Sequence, residues 1–363
     1  MSMQGKTFVG LDVHAAQTHA AVLDTGSGEL RVKKLWGAPE EVVSFLEELG
    51  PGVRAVYEAG PTGFGLARAA REHGVVLEVV APGSIPKGSG DRVKTDRRDA
   101  ARLARLLAAG ELRFAYVPSV ADEQFRDLTR SIEDVRGDLM RARHRLGKFL
   151  LRRGERYSGQ GGAWTLRHMS WLRTLRFEDA CSQASFADYL AAVELLVGRR
   201  ASLIVAVEQA VPDCSHAAVI GRLRCFRGID TLSAAGLAAE VGDFGRFPKP
   251  SLLSGFLGIV PSEHTSDVKR RQGSITKAGP PHARRLLVEA AHHYRRRPLI
   301  GESLARRQAG QDPRVIAVAW RAQQRLHQRW QHLREHRHKP AGVVAIACAR
   351  ELASFIWEAA TLD

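Results

Sequence analysis

The sequence predicts an α/β domain in its first third, then a long helical arm, then a mostly helical C-terminal domain. Three observations predict it. Short β-rich runs alternate with helical apolar spacing through the first hundred residues; a heptad seam then runs for more than three repeats; and a basic segment near residue 260 leads into further helices. A chain of 363 residues is long enough for two or three separate cores. The divisions fall at residues 1–118, 119–212 and 213–363.

The elements of the first domain follow in order. Thr7–Val13 and Thr18–Leu23 are β-rich, and Glu29–Trp36 makes a third strand across the turn residues Asp24-Thr25-Gly26-Ser27-Gly28. Pro39–Leu49 carries apolar residues at helical spacing (Val42, Val43, Phe45, Leu46, Leu49). Val53–Tyr57 is a short strand, Gly63–His73 a helix, Val75–Val80 a strand and Arg97–Ala108 a helix. The order β-β-β-α-β-α-β-α is that of the RNase H-like fold, an antiparallel start continued by parallel βα units.

From Phe125 the apolar positions are Phe125, Leu128, Ile132, Val135, Leu139, Ala142, Leu146 and Phe149. Their alternating spacing of three and four suggests a coiled-coil arm; a long amphipathic helix packed inside the same chain carries the same stripe. Gly159–Gly162 interrupts the helical region and Ala184–Ala210 resumes it. Further on, Phe226-Arg227-Gly228-Ile229-Asp230, then Ala234–Val241 and Gly242-Asp243, suggest two short helices around a Gly-containing turn. That pattern fits a helix-hairpin-helix offering amides to phosphates, and equally a plain packing turn.

Charge narrows the class of partner. Lys and Arg number 54 against 39 Asp and Glu, a formal +15, which points to a polyanion because each neutralised phosphate releases counterions. Cys181, Cys214, Cys225 and Cys348 lie far apart with no CxxC pair, which argues against a disulfide framework or a cysteine zinc site. The N-terminal stretch has Asp12 inside its short apolar run and does not read as a signal peptide, and no run reaches the roughly 20 apolar residues of a membrane span. These features predict a cytoplasmic protein.

Four carboxylates stand at element ends where they can converge. Asp12 interrupts the apolar first strand, Glu58 ends the fourth, and Asp96 and Asp99 open the last helix of the domain with an i,i+3 spacing that puts both on one face. Clustered carboxylates repel unless a cation lies among them, and hard oxygen ligands suit Mg²⁺, two of which about 3.5–4 Å apart stabilise a phosphoryl displacement. Taken singly, Glu58 also fits a surface strand end, and Asp96 and Asp99 fit favourable charges at a helix N-terminus.

A second dense segment runs from Gly258 to Gly279, with small turn-forming residues alternating with Lys and Arg, followed by a helix bearing Arg284 and Arg285. It reads as a loop against a phosphate backbone, with Lys269, Arg270, Arg271, Lys277, Arg284 and Arg285 as nucleic-acid contacts.

Gly10-Leu11-Asp12, Glu58-Ala59-Gly60-Pro61-Thr62-Gly63, Lys94-Thr95-Asp96-Arg97-Arg98-Asp99-Ala100 and the Gly258–Gly279 segment with Leu286-Leu287 occur in one order along essentially the whole chain. In these motifs the chain resembles the DEDD transposases of bacterial insertion sequences that carry a C-terminal serine, also called bridge-RNA-guided recombinases. The resemblance implies that Asp12, Glu58, Asp96 and Asp99 are metal-site acids and that Ser266 attacks a DNA phosphodiester to form a covalent link. It also implies that the acidic domain of one protomer works with the serine domain of another, that dimers join into a tetramer, and that a structured RNA selects the DNA. The family usually has Gly after the serine; here Asp267 follows, and Ser262 and Ser274 are fallback nucleophiles.

Other motifs carry less. His332-Leu333-Arg334-Glu335-His336 matches an inverted zinc-protease pattern, but its Arg- and Gln-rich surroundings suit a solvated or phosphate-facing helix. Trp164, Trp171, Trp320 and Trp330 can stack on bases, although burial is the commoner use of tryptophan. Two rival readings remain: a metal-dependent junction-resolving nuclease using the acids without a serine, and an inactive relic that only binds nucleic acid. The Gly258–Gly279 segment separates the first rival, and Mg²⁺-dependent cleavage the second.

Overall fold

The computed structural model describes residues 6–36, 38–86, 95–266 and 269–362, with backbone only for 264–266 and 269–271. The chain forms two compact units, Met1–Ser119 and Val120–Asp363.

In the first unit, β1 (Thr7–Val13), β2 (Gln17–Asp24) and β3 (Leu30–Trp36) precede α1 (Pro39–Glu48), β4 (Arg54–Glu58), α2 (Gly65–Glu72), β5 (Val76–Val80) and α3 (Asp96–Ala108). The sheet order is β3-β2-β1-β4-β5; β1–β2 and β2–β3 are antiparallel, and β1–β4 and β4–β5 are parallel. Each expected element is present, with ends displaced by one or two residues. The mixed α/β arrangement is consistent with an RNase H-like domain.

Strand side chains alternate between faces, so each strand feeds two cores. Val9, Leu11, Ala55, Tyr57 and Val79 pack with Val42, Leu46 and Leu66 of α1 and α2. Phe8, Val56 and Val80 pack on the opposite side with Leu103 and Leu107 of α3. Asp12 continues the α3-facing set of β1, and Glu58 that of β4.

The second unit begins with α4 (Val120–Arg152), α5 (Leu166–Thr174) and α6 (Ala180–Ala210). Asp179 caps α6, accepting from the Ser182 amide at 2.7 Å, which starts the helix four residues before its expected first residue. α7 (Ala217–Leu223), α8 (Thr231–Val241), α9 (Pro250–Phe256), β6 (Pro261–Ser266), β7 (Lys269–Ile275), α10 (Pro281–Ala291), α11 (Glu302–Gln308), α12 (Pro313–Gln331) and α13 (Ala341–Ala360) follow. No helix among the described residues is long and apolar enough to cross a membrane.

The heptad seam of α4 is covered by this chain's own helices. Phe125, Leu128 and Ile132 join the core of α8, α10, α12 and α13, where Val207 of α6 also lies. At the other end Leu146 and Phe149 pack with Leu172, Phe186 and Val193, with the Phe149 and Phe177 rings 5.4 Å apart and edge-on. The two long helices therefore run antiparallel. Of the two readings of the stripe, the amphipathic helix packed within its own chain is the one seen.

The Gly228 turn likewise has a packing explanation. Gly228 has φ +82°, and a Cβ there would lie 2.8 Å from the Ala290 carbonyl of α10. Every residue of α8 from Ala234 to Val241 is buried.

That burial includes Glu240. Its carboxylate accepts from Nε and Nη2 of Arg130, both at 2.8 Å, and His282 Nδ1 lies at 3.4 Å, so one acid ties α8 to α4 and α10. Burial alone would raise its pKa; the hydrogen bonds of Arg130 and the nearby charges of Arg130 and His282 outweigh that and hold it at about 2. Because the folded value lies below the unfolded one, this stabilisation is present above about pH 4.5 and is lost as pH falls toward 2. The shift corresponds to roughly 3 kcal/mol. Glu240→Gln should therefore lower unfolding free energy by about that amount at pH 7, with the deficit shrinking between pH 5 and pH 2. Urea titrations of both proteins across that range check it.

Candidate functional site

The first unit gathers acids at one end of its sheet. β1 and β4 are parallel neighbours paired up to Leu11 and Tyr57, so Asp12 and Glu58 are the next residues of adjacent strands and share the α3 side of the sheet. Gly10 explains how α3 reaches them. A Cβ at Gly10 would lie 2.1 Å from the Ala100 carbonyl and 2.5 Å from the Ala104 amide, so the helix backbone rests directly on the strand. That close approach delivers the first turn of α3, with Asp96 and Asp99, to the end of β1.

Asp12, His14 and Asp96 each offer a ligand atom within 4.8 Å of the others. His14 Nε2 is 3.3 Å from Asp12 Oδ2 and 3.8 Å from Asp96 Oδ1. Burial raises the Asp12 carboxyl above its ordinary range; His14 opposes this, while Asp96 and then Asp99 add to it. Asp99 thus acts electrostatically on Asp12, and Glu58 stands beside it at the exposed strand end. Sequence reasoning singled out neither His14 nor His19. His19 lies opposite Asp12 in the β1–β2 register, and its buried Nδ1 is 3.6 Å from Asp96 Oδ2 with no hydrogen bond. For His14 a signal existed: it stands two residues beyond Asp12, just past the end of β1, where the strand's alternation leads to the same face.

These donors suit a divalent cation. Two carboxylates converge with a third close behind, the more buried one is destabilised as an anion, and a buried imidazole nitrogen lacks a hydrogen bond. His332 and His336 belong to no such group of close donors among the described residues.

In the second unit the segment expected as a loop is a β-hairpin. β6 and β7 pair antiparallel from Pro261↔Ile275 out to Ser266↔Lys269. Ser266 is the last residue of β6, at the far end of the ladder; its side chain and those of Lys269, Arg270 and Arg271 lie outside the described residues, as does Asp267 entirely. The hairpin's base is pinched by two glycines. Gly258 (φ +65°) would put a Cβ 2.1 Å from the Ala278 carbonyl, and Gly279 (φ +66°) would put one 1.8 Å from the Phe256 carbonyl. Ser262 lies across the ladder over Gly273, and Ser274 is exposed on β7.

Not every expected cation is free for phosphate. Lys277 is exposed. Arg284 instead donates to the Leu257 and Ala278 carbonyls at 3.0 and 2.8 Å, bracing the hairpin base. Arg285 donates to Glu133 at 3.0 Å and to Glu289 at 2.6 Å. Both guanidiniums hold the fold together, a use that charge alone does not reveal.

Comparison with known proteins adds a separate line of argument. Residues 9–153 match a family model described as a transposase, of the DEDD type found in IS110. Residues 221–304 match one described as the transposase IS116/IS110/IS902 family. The chain is 39% identical over 360 residues to a putative transposase of Sinorhizobium fredii, covering 97% of this chain and 88% of that one. It is 32% identical over 343 residues to the transposase for insertion sequence element IS1533 of Leptospira borgpetersenii, covering 93% and 99%. A probable family 20 transposase of Pseudomonas aeruginosa is 28% identical over 329 residues.

Proposed function

The chain belongs to the IS116/IS110/IS902 family of insertion-sequence transposases, enzymes of DNA cleavage and strand transfer, and from that premise we propose that it cuts and rejoins DNA through a covalent Ser266–DNA intermediate. The observation that carries the metal half of this reading is the seating of α3 on Gly10, which brings Asp96 to Asp12. Asp12, Glu58, Asp96 and Asp99 would hold Mg²⁺, whose contribution when bound is to stabilise charge on the phosphoryl oxygens.

The serine chemistry balances without an outside energy source. The Ser266 hydroxyl gives up its proton and bonds to phosphorus; the bond from phosphorus to one deoxyribose oxygen breaks, and that oxygen leaves with its electron pair and takes up a proton. Rejoining reverses these steps with the hydroxyl of another strand, so the phosphodiester's energy is retained. Ser266 closes the hairpin ladder opposite Lys269, on backbone held by the Gly258–Gly279 pinch and by Arg284, and a nucleophile gains from being held in place.

The partners follow the same reading. DNA is the substrate, a structured guide RNA is a second polyanion for the +15 chain, and the working assembly is a dimer joining into a tetramer in the cytoplasm. We retain the division of the second unit into an arm to residue 212 and a serine domain from 213.

The test is covalent trapping. The protein, expressed with its native flanking DNA, is given Mg²⁺ and labelled DNA spanning the element ends, then run on denaturing gels beside Ser266→Ala. A protein–DNA adduct present in the parent and absent from the variant is the expected result. Mg²⁺-dependent cleavage with no adduct, unchanged by the substitution, would transfer the reading to a hydrolytic nuclease.

A further inference from the structure

A cleft of about 1160 Å³ lies on the arm, between the C-terminal half of α4, the segment leading into α5, and α6. It exceeds the roughly 300–1,000 Å³ of typical small-molecule sites, which suits part of a polymer. Its lining divides by chemistry. Arg136, Arg143, Lys148, Arg156 and Arg200 supply cations, Arg136 already paired with Glu133 at 2.7 Å, and Glu155 is the single acid; Tyr157, Trp164 and Trp171 supply aromatic rings.

Apart from Arg136, these cations differ from others in the same unit. Arg130, Arg173 and Arg285 are each held by a carboxylate. Among the described residues no ion pair engages Arg143, Lys148, Arg156 or Arg200, and Arg143 Nε is buried without a hydrogen bond. Burial and then the neighbouring charge of Arg200 both lower the Arg143 pKa, the signature of positive groups brought together without an anion.

The aromatic wall is held at a conformational cost. Trp164 has φ +69°, a left-handed conformation that disfavours a residue with a Cβ by about 1–2 kcal/mol. It immediately precedes Thr165, which caps α5. The indole lies under the Arg143 guanidinium, 5.1 Å from the ring centroid. His168, buried behind it, touches three rings: Tyr157 and Trp164 at 5.1 Å and Trp171 at 5.4 Å. A strained tryptophan braced by a histidine, with an arginine over it and loose cations around it, is a platform for a flat ring attached to a phosphate.

We propose that this cleft binds an unpaired stretch of nucleic acid, with a base stacking at Trp164 and the flanking phosphates on Arg143 and Arg200. A second copy of this chain fits poorly, because it would bring the same cations against themselves. The proposal rests on the nucleic-acid reading of function but on none of its chemistry.

The test uses the full chain without divalent ions, so a catalytically dead protein can pass it and an active one can fail. The probes are oligothymidylate and oligouridylate of about a dozen residues, an abasic strand of that length, and a duplex. The parent should prefer the base-bearing single strands, with quenching of tryptophan fluorescence. Trp164→Gly, which relieves the positive φ and so should fold, is expected to weaken those strands about tenfold, leave the abasic strand nearly unchanged and abolish most of the quenching. Trp164→Phe should recover part of the binding. Arg143→Gln with Arg200→Gln should weaken every single strand and lower the log–log salt slope by about 1.4. Preference between the uridylate and thymidylate strands then assigns the cleft to RNA or to displaced DNA. Undiminished binding by Trp164→Gly, equal loss on abasic strand and duplex, or loss of self-association with oligonucleotide binding intact would overturn the proposal.

Discussion

Asp12→Ala is expected to lower Mg²⁺-dependent strand cleavage by about a thousandfold or more, the scale of removing a group that acts in the transition state, while DNA binding changes by less than about twofold. The asymmetry follows from position. Asp12 is half-buried at the end of β1, beside Asp96 and His14, and as an anion it repels rather than attracts phosphate. Losing it cannot remove a backbone contact, but it removes the donor around which the other acids gather. Asp99→Ala should behave alike, since Asp99 adds to the same field. A thermal readout separates metal loss from misfolding: Mg²⁺ should raise the parent's melting temperature by mass action and leave Asp12→Ala unmoved. A folded variant losing binding and cleavage equally would count against the metal role.

Gly10→Ala is expected to be the most damaging single methyl group in the first unit. The added carbon would meet the Ala100 carbonyl at 2.1 Å, the Ala104 amide at 2.5 Å and the Leu103 Cβ at 2.9 Å. Two of those atoms are helix backbone and cannot rotate aside, so α3 must lift from the sheet. Overpacking of this kind costs about 3 kcal/mol or more. Because α3 carries Asp96 and Asp99, whatever folded protein remains should also lose cleavage. Chemical denaturation and the cleavage assay together check it. Gly255→Ala serves as the contrast: nothing lies within 4 Å of its added carbon, inside α9, so that change should be neutral or slightly stabilising. Equal stability of Gly10→Ala and parent would mean that helix and strand do not touch there.

These two residues also mark where the sequence was legible. Asp12 stands out because an acid interrupts the otherwise apolar run Phe8–Val13. Gly10 is visible as a glycine, but what it meets lies ninety residues away. The same holds for His19, which becomes a neighbour of Asp96 only through the β1–β2 register. The element order of the first unit was readable because β1, β2 and β4 are buried on both faces and leave an apolar trace. The β6–β7 hairpin leaves none: Ser262-Glu263-His264-Thr265 and Arg270-Arg271-Gln272-Gly273 look like a loop, and only the backbone ladder makes them strands. In α4 the seam was evident and its partner was not, since a heptad stripe is silent about which helix covers it. Arg284 and Arg285 were read by charge, and the Leu257 carbonyl and Glu133 that occupy them belong to other elements.

The 33 residues of α4 form one uninterrupted rod of about 50 Å. Its first half is buried among the C-terminal helices and its second half borders the basic cleft, with the Arg130–Glu240 pair pinning the near end. The helix is therefore a ruler: it fixes how far the cleft stands from the C-terminal helical core. Lengthening α4 and α6 together by one heptad would keep every seam residue on its face and move the far mark outward by about 10 Å. An insertion of one residue would instead swing the cleft around the axis by about 100°. The reach of the cleft from that core is thus written in the length of a helix.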